Sequence, residues 1–219
     1  PGLMQTLGAN DYAKELMIFG PKGTKKKFDT MFEFFVHRSK KIKYKVVEVE
    51  EGVVFENENY KIEASPMDHS TKTLAYAFIE KPRRKVNMEY VRKQGLKEGP
   101  VIKKLQEGKD VRHEGIKVSA KDATYMEEGK KFVIVTDTVP CSNAVKIAKG
   151  ADLLFCEATF LEDLKDKAKE YKHMTAKQAA TIAKKAKVKR LVLIHFSQRY
   201  KNTKGHAKEA KEVFENTLI

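Results

Sequence analysis

The stretch FVIVTDTVPCSNAVKIAKGADLLFCEATF, residues 132–160, sets the fold class. Residues 132–135 form an apolar run bounded by polar text, SNAVKIAK carries apolar residues at helical spacing with Gly150 as its stop, and DLLFCEAT is apolar again. Toward the C-terminus, TAKQAATIAKKA, RLVLIHF and HAKEAKEVFENTL continue the alternation of helix and strand. This βα order predicts an α/β domain with parallel strands. Residues 132–135 and 191–194 read as strands buried on both faces, as parallel strands under helices are. Thr175, with Gln178 three positions on, forms a capping box that fixes a helix start and leaves His173 just before it.

Toward the N-terminus the period changes. IKYKVVEVE and GVVFENENYKIEASPM alternate apolar and polar residues, as strands of a half-exposed sheet do, and the second runs into His69. KELMIFGPKG reads as a strand entering a Pro/Gly turn, after MQTLGAND in a loop or helix. KKFDTMFEFFVHR reads as an amphipathic helix with Phe28, Met31, Phe32 and Phe35 on a core-facing stripe.

Metal-binding residue types follow the apolar runs. Asp137 and His195 stand at or just past the C-terminal ends of proposed strands, and His69 follows a third. Zinc takes imidazole nitrogen and carboxylate oxygen and needs them held rigidly, so strand ends suit it better than loops. The three residues are more than fifty positions apart in sequence, which excludes a local finger-type module. Cys141 and Cys156 lack the paired spacing of a zinc knuckle or disulfide framework and read as small buried thiols in a reducing, intracellular setting.

The chain has 219 residues, enough for one substantial core, and carries 44 Lys/Arg against 30 Asp/Glu, a formal charge of +14. Such an excess points to a polyanionic partner, with nucleic acid the economical candidate; a Lys- and Glu-rich surface adapted to heat is the alternative. Residues 81–117 hold 12 Lys/Arg against 5 Asp/Glu, half the excess of the whole chain, and read as a protruding arm. No apolar run is long enough for a membrane span, and the opening PGLMQTLGAND shows no signal-peptide pattern.

Taken in order, His69 in DHSTKTLAYAF, Asp137 in VTDTVPCSNAV, Glu157 in CEATFLEDL, His173 in HMTA and His195 in LIHFSQRY resemble the successive downstream motifs of tRNase Z, a branch of the metallo-β-lactamase superfamily. The resemblance implies the αββα sandwich over residues 1–219, with residues 81–117 as the family's exosite arm, its Gly-Pro element matching Gly99-Pro100. It implies a zinc-dependent endoribonuclease that cuts precursor tRNA at its 3′ end by metal-activated hydroxide attack. His69, Asp137 and His195 would be metal ligands, with Asp137 bridging two zinc ions, and Glu157 and His173 would handle proton transfer to the departing 3′ oxygen. Arg83, Arg84, Lys85, Gly99, Pro100, Lys103 and Lys104 would meet RNA. The partners implied are precursor tRNA and a second copy of the chain, in the cytoplasm and away from membranes.

The superfamily signature His-x-His-x-Asp-His occurs nowhere in the sequence, and in relatives it sits just before a stretch like Pro1-Gly2-Leu3. The expectation is therefore a sandwich incomplete at the N-terminus, lacking its first strands, inactive alone and unstable. Two further departures are Thr136, where relatives carry Gly, and Cys156, where they carry His. Another phosphodiesterase or hydrolase of the same fold, or a non-catalytic RNA-binding fragment, are the competing functions. Ser197, Arg199 and Tyr200 are candidates to orient His195 or meet a phosphate. His37, His113 and His206 read as surface residues.

Overall fold

The structure is a computed structural model that describes residues 2–35, 42–97, 99–113 and 115–219. His37 lies outside the described residues, as do the side chains of Phe35 and His113. The chain begins with α1 (Gly2–Ala9), β1 (Leu16–Gly20), α2 (Thr24–Phe35), β2 (Tyr44–Glu48), β3 (Gly52–Glu56), β4 (Tyr60–Met67) and β5 (Thr73–Glu80). It continues through β6 (Arg83–Val86), α3 (Met88–Lys93), α4 (Pro100–Gln106), β7 (Val111–His113), β8 (Ile116–Val118), α5 (Ala120–Ala123) and β9 (Thr124–Glu127). The last third comprises β10 (Lys131–Val135), α6 (Ser142–Ala148), β11 (Leu153–Glu157), α7 (Lys165–Glu170), α8 (Ala176–Ala186), β12 (Leu191–Ile194), α9 (Lys204–Lys211) and β13 (Thr217–Leu218). Two compact units result, one of residues up to Glu56, Lys61–Phe78 and Lys131–Ile219, the other of Asn57–Tyr60 and Ile79–Lys130.

The first unit is built on a seven-stranded sheet in the order β13-β12-β11-β10-β5-β4-β3. Strands β10 to β13 are parallel, with Val135 opposite Cys156, Cys156 opposite Leu193 and Glu157 opposite Ile194. Helix α8 lies against β11 and β12 with α6 and α9 beside it. Its inward residues Ala176, Ala179, Ala180, Ile182, Ala183 and Ala186 recur at helical spacing, and their small side chains let the helix approach the sheet closely. The capping box is present: Thr175 Oγ1 accepts from Gln178 N and Gln178 Oε1 accepts from Thr175 N. Such a cap contributes about 1 kcal/mol and fixes where the helix begins.

Three expectations change. Strands β10 and β12 are not sealed on both faces: Val133 and Val135 are wholly buried, whereas Ile134 is 50% exposed. Burial alternates along the strands, one face being sealed and the other partly open. The final helix stops at Lys211, and Thr217–Leu218 instead pairs with β12 as a fourth parallel strand. His206 is wholly buried, because α9 turns it inward with Ala210 one turn on; Phe196 and Tyr200 meet its ring edge-on at 4.9 and 4.7 Å. Elsewhere in this unit, β1 and β2 form a parallel pair, and Phe28 and Phe32 of α2 pack on Tyr44 with ring centroids 5.3 and 4.9 Å away.

The second unit takes in residues 81–117 and extends to Lys130. It has its own core of Val91, Leu96, Leu105, Val111, Val118, Ala120 and Ala123. Strands β6 and β9 pair antiparallel, as do β7 and β8. Gly99, at φ 155°, is the N-cap of α4, and Pro100 occupies the first turn, where its missing N–H loses no bond. Among the described residues no helix is long and apolar enough to cross a membrane.

Candidate metal centre

The carboxyl ends of β10, β11 and β12 bring three motifs to one sheet edge. Parallel register places Glu157 beside Ile194, so His195 follows directly past the paired segment, and Asp137 stands two residues beyond Val135. Ligand sites in open α/β sheets form at such strand ends. Asp137 and His195 both turn off their strands in the left-handed region, at φ 45° and 60°, and Lys172, before His173, does so at 60°. Non-glycine residues persist there only where surrounding bonds hold them.

Donor atoms of Asp137, His173 and His195 all lie within 4.8 Å of one another. His195 Nε2 stands 3.2 Å from Asp137 Oδ1, and that buried oxygen has no hydrogen-bond partner among the described residues. His69 is outside this tight group; its ring lies 5.1 Å from that of His173, which in turn stacks on His195 at 5.3 Å. His173 therefore stands between the other two imidazoles.

The proton positions follow from the bonding partners. His69 Nδ1 meets the carbonyl of Lys172 at 2.9 Å, and a carbonyl only accepts, so Nδ1 carries the hydrogen. His173 Nδ1 meets Glu157 Oε1 at 3.0 Å, again as donor to a carboxylate. The Thr159 hydroxyl donates to Glu157 Oε2 at 2.6 Å and so has only lone pairs for His195 Nδ1, 3.0 Å away. All three rings thus engage Nδ1 and leave Nε2 free, the arrangement in which metal-binding histidines are held.

Glu157 is the hub of this network. Wholly buried, it accepts from Thr138 N at 2.6 Å, Met174 N at 3.2 Å, the Thr159 hydroxyl and His173. Thr138 carries the network on to the His69 segment, its hydroxyl accepting from Asp68 N at 3.1 Å. Met174 N reaches Glu157 because the Phe160–Thr175 bridge and the cap of α8 fix the His173 segment.

Sequence reasoning missed Thr159, although CEAT shows a hydroxyl two positions past the carboxylate, on the same side of an extended chain. It is Thr159, rather than Ser197, Arg199 or Tyr200, that meets the His195 ring. Arg199 donates to Ser197 and lies over the Phe160 ring at 5.0 Å, and Tyr200 Oη accepts from Leu161 N at 3.0 Å. Cys156 points away from the site toward Met174, its thiol pushed well up by burial and further by Glu157. Cys141 is partly exposed, with Met67 near its sulfur.

The residues read as RNA-binding all lie in the second unit. Arg83 and Lys85 share Glu127 at 2.8 and 3.7 Å, Arg84 donates to Thr124 at 2.9 Å, and Lys103 and Lys104 are exposed on α4.

A family model described as "Beta-lactamase superfamily domain" matches residues 111–196. Curated proteins named Ribonuclease Z include that of Protochlamydia amoebophila, 39% identical over 77% of this chain and 55% of its own length. Those of Ignicoccus hospitalis and Archaeoglobus fulgidus are 37% and 36% identical over 98% and 100% of this chain, which spans 71% and 72% of their lengths. Among solved structures, the metallo-β-lactamase fold protein YhfI of Bacillus subtilis superposes with a TM-score of 0.63 at 16% identity, over all of this chain and 66% of its own. Human tRNase Z, short form, does so with a TM-score of 0.59 at 24% identity, over 92% and 68%.

Proposed function

This chain belongs to the ribonuclease Z family, with the metallo-β-lactamase fold, and on that premise we propose that it is a zinc-dependent endoribonuclease that cuts precursor tRNA at its 3′ end. The observation that carries the reading is the orphaned, buried Asp137 Oδ1 facing imidazoles whose Nε2 atoms are free. Metallo-β-lactamase relatives use divalent metals, and a mixed nitrogen and oxygen donor set suits zinc.

Zinc, expected as two ions, would be held by His69, Asp137 and His195, with Asp137 shared. The bound metal supplies Lewis acidity toward the phosphate oxygens and the attacking water. A water oxygen, its proton released to solvent, bonds to phosphorus as the bond to the 3′ oxygen breaks, and His173 delivers a proton from Nε2 to that departing oxygen. Glu157 accepts from Nδ1 and so orients the ring that donates. Thr159 keeps His195 in the tautomer that presents Nε2.

Arg83, Arg84, Lys85, Gly99, Pro100, Lys103 and Lys104 would grip the folded body of the tRNA through phosphates, which needs shape and charge rather than sequence. The working form in this reading is a cytoplasmic homodimer. Purified full-length protein with zinc or manganese should release the 3′ extension of a precursor tRNA, leaving a 3′ hydroxyl on the tRNA and a 5′ phosphate on the fragment. Absence of cleavage on every 3′-extended tRNA tried overturns the substrate. Retained, salt-sensitive RNA binding with no bound metal would instead mark a binding module.

A further inference from the structure

Strand β9, TYME at residues 124–127, lies beyond the basic run 81–117 yet pairs with β6, the first strand of that run. Register sets Lys85 opposite Tyr125 and Arg83 opposite Glu127, and side chains directly opposite on antiparallel strands share a face. The contacts agree. Glu127 is met by both Arg83, at 2.8 Å, and Lys85, at 3.7 Å. The other face of the ribbon turns toward the core of the second unit: Arg84 donates to Thr124 there, and Val86 packs on the buried cluster.

On the outward face Tyr125 is 53% exposed. Among the described residues its side chain makes no hydrogen bond, aromatic contact or cation–π contact. A single exposed ring is ordinary on a protein surface; a free ring directly opposite one cation and diagonal to another is a more particular arrangement. We propose that Tyr125 is a stacking platform for an unpaired base of the folded RNA, with Arg83 and Lys85 holding the phosphates that flank that base. The proposal rests on the endoribonuclease reading above and adds to the arm a residue that lies outside 81–117.

The surroundings favour a nucleic acid over a protein partner. Met126 is also exposed, but side chains alternate along a strand, so it leaves by the opposite face and the two form no continuous apolar patch. The ion pairs with Glu127 are exposed, contribute little, and can give way to phosphate oxygens. Stacking needs a bare π-face, which every unpaired base offers and a base inside a duplex does not. Tyr125 would therefore tell looped from fully paired RNA, where lysines alone read charge.

The test measures dissociation constants of the full-length protein for a precursor tRNA and for a blunt, fully paired RNA duplex of equal length. Tyr125→Ala should weaken tRNA binding about tenfold and leave duplex binding within about twofold, while Tyr125→Phe, which keeps the ring, stays within about twofold of wild type for both. Arg83→Gln/Lys85→Gln should weaken both RNAs. These 219 residues hold no tryptophan, so Tyr125→Trp adds a reporter whose fluorescence the tRNA should quench and the duplex should not. That variant and Tyr125→Phe decide the matter if the alanine variant melts early. Unchanged tRNA binding without the ring, an equal loss for the duplex, or a tryptophan signal indifferent to the tRNA overturns the platform. Wild-type protein that binds no precursor tRNA overturns the underlying reading instead.

Discussion

The strand ends of the first unit and the basic second unit hold their charges in opposite ways. At the ends of β10 to β12, one buried carboxylate, Glu157, receives bonds from four partners and through Thr159 reaches a fifth group, His195. In the second unit the charges sit in solvent, in pairs such as Arg83–Glu127, Lys93–Glu89 and Lys109–Glu107. Buried, fully satisfied networks concentrate consequence in single atoms, because a partner removed leaves others unpaired. Exposed pairs are screened and interchangeable, so their effect is shared. On the proposed function, chemistry should therefore be brittle and RNA affinity graded.

The largest expected effect is on the proposed proton donor. His173→Ala should lower kcat by about 10²- to 10⁴-fold while zinc content stays at the wild-type level, whereas Asp137→Ala should lose metal. Loss of zinc from His173→Ala would make it a ligand and exchange its role with that of His69. Next, Thr159→Val removes one hydroxyl and should weaken metal binding about 10- to 100-fold by chelator competition, with Thr159→Ser restoring most of it. Equal affinity in the valine variant would detach His195 from the Glu157 network.

A third expectation concerns His206 and separates burial from catalysis within the first unit. Burial pushes its pKa below the ordinary imidazole value, and the nearby Thr159 backbone opposes the shift without meeting hydrogen-bond geometry. Below about pH 6.5 the unfolded chain takes up a proton that the folded ring refuses. Stability should thus fall as pH drops from there toward the folded pKa, by at most about 1.4 kcal/mol per pH unit. Denaturation of His206→Phe across that window should show a flatter dependence. Smallest are Lys103→Ala and Lys104→Ala, each weakening tRNA binding a few-fold irrespective of sequence and lowering the salt slope by about one. A hundredfold loss from either would contradict the graded picture.

Much of this was legible in the sequence. The alternation after residue 131 gave the parallel strands, and the capping box placed His173 before α8 because its two side chains act locally. The missed features depend on contacts between distant segments. His206 looked like one polar residue in a Lys- and Glu-rich run, and only the packing of α9 reveals its inward face. The core of the second unit was hidden because Val91, Leu96, Leu105, Val111 and Val118 are scattered through charge-dense text without a sustained period. Thr159 was passed over because its meaning comes from Glu157 and His195 together, a pairing set by strand register.

That register has a consequence for chain length. Since Val135, Cys156 and Leu193 sit abreast, one residue inserted within β10, β11 or β12 would turn the following side chain to the opposite face. Two inserted residues would restore the facing but carry the donor almost 7 Å along the strand, at about 3.3 Å per residue. Either kind of addition would displace a donor, so the length of these three strands is set by the site they end in.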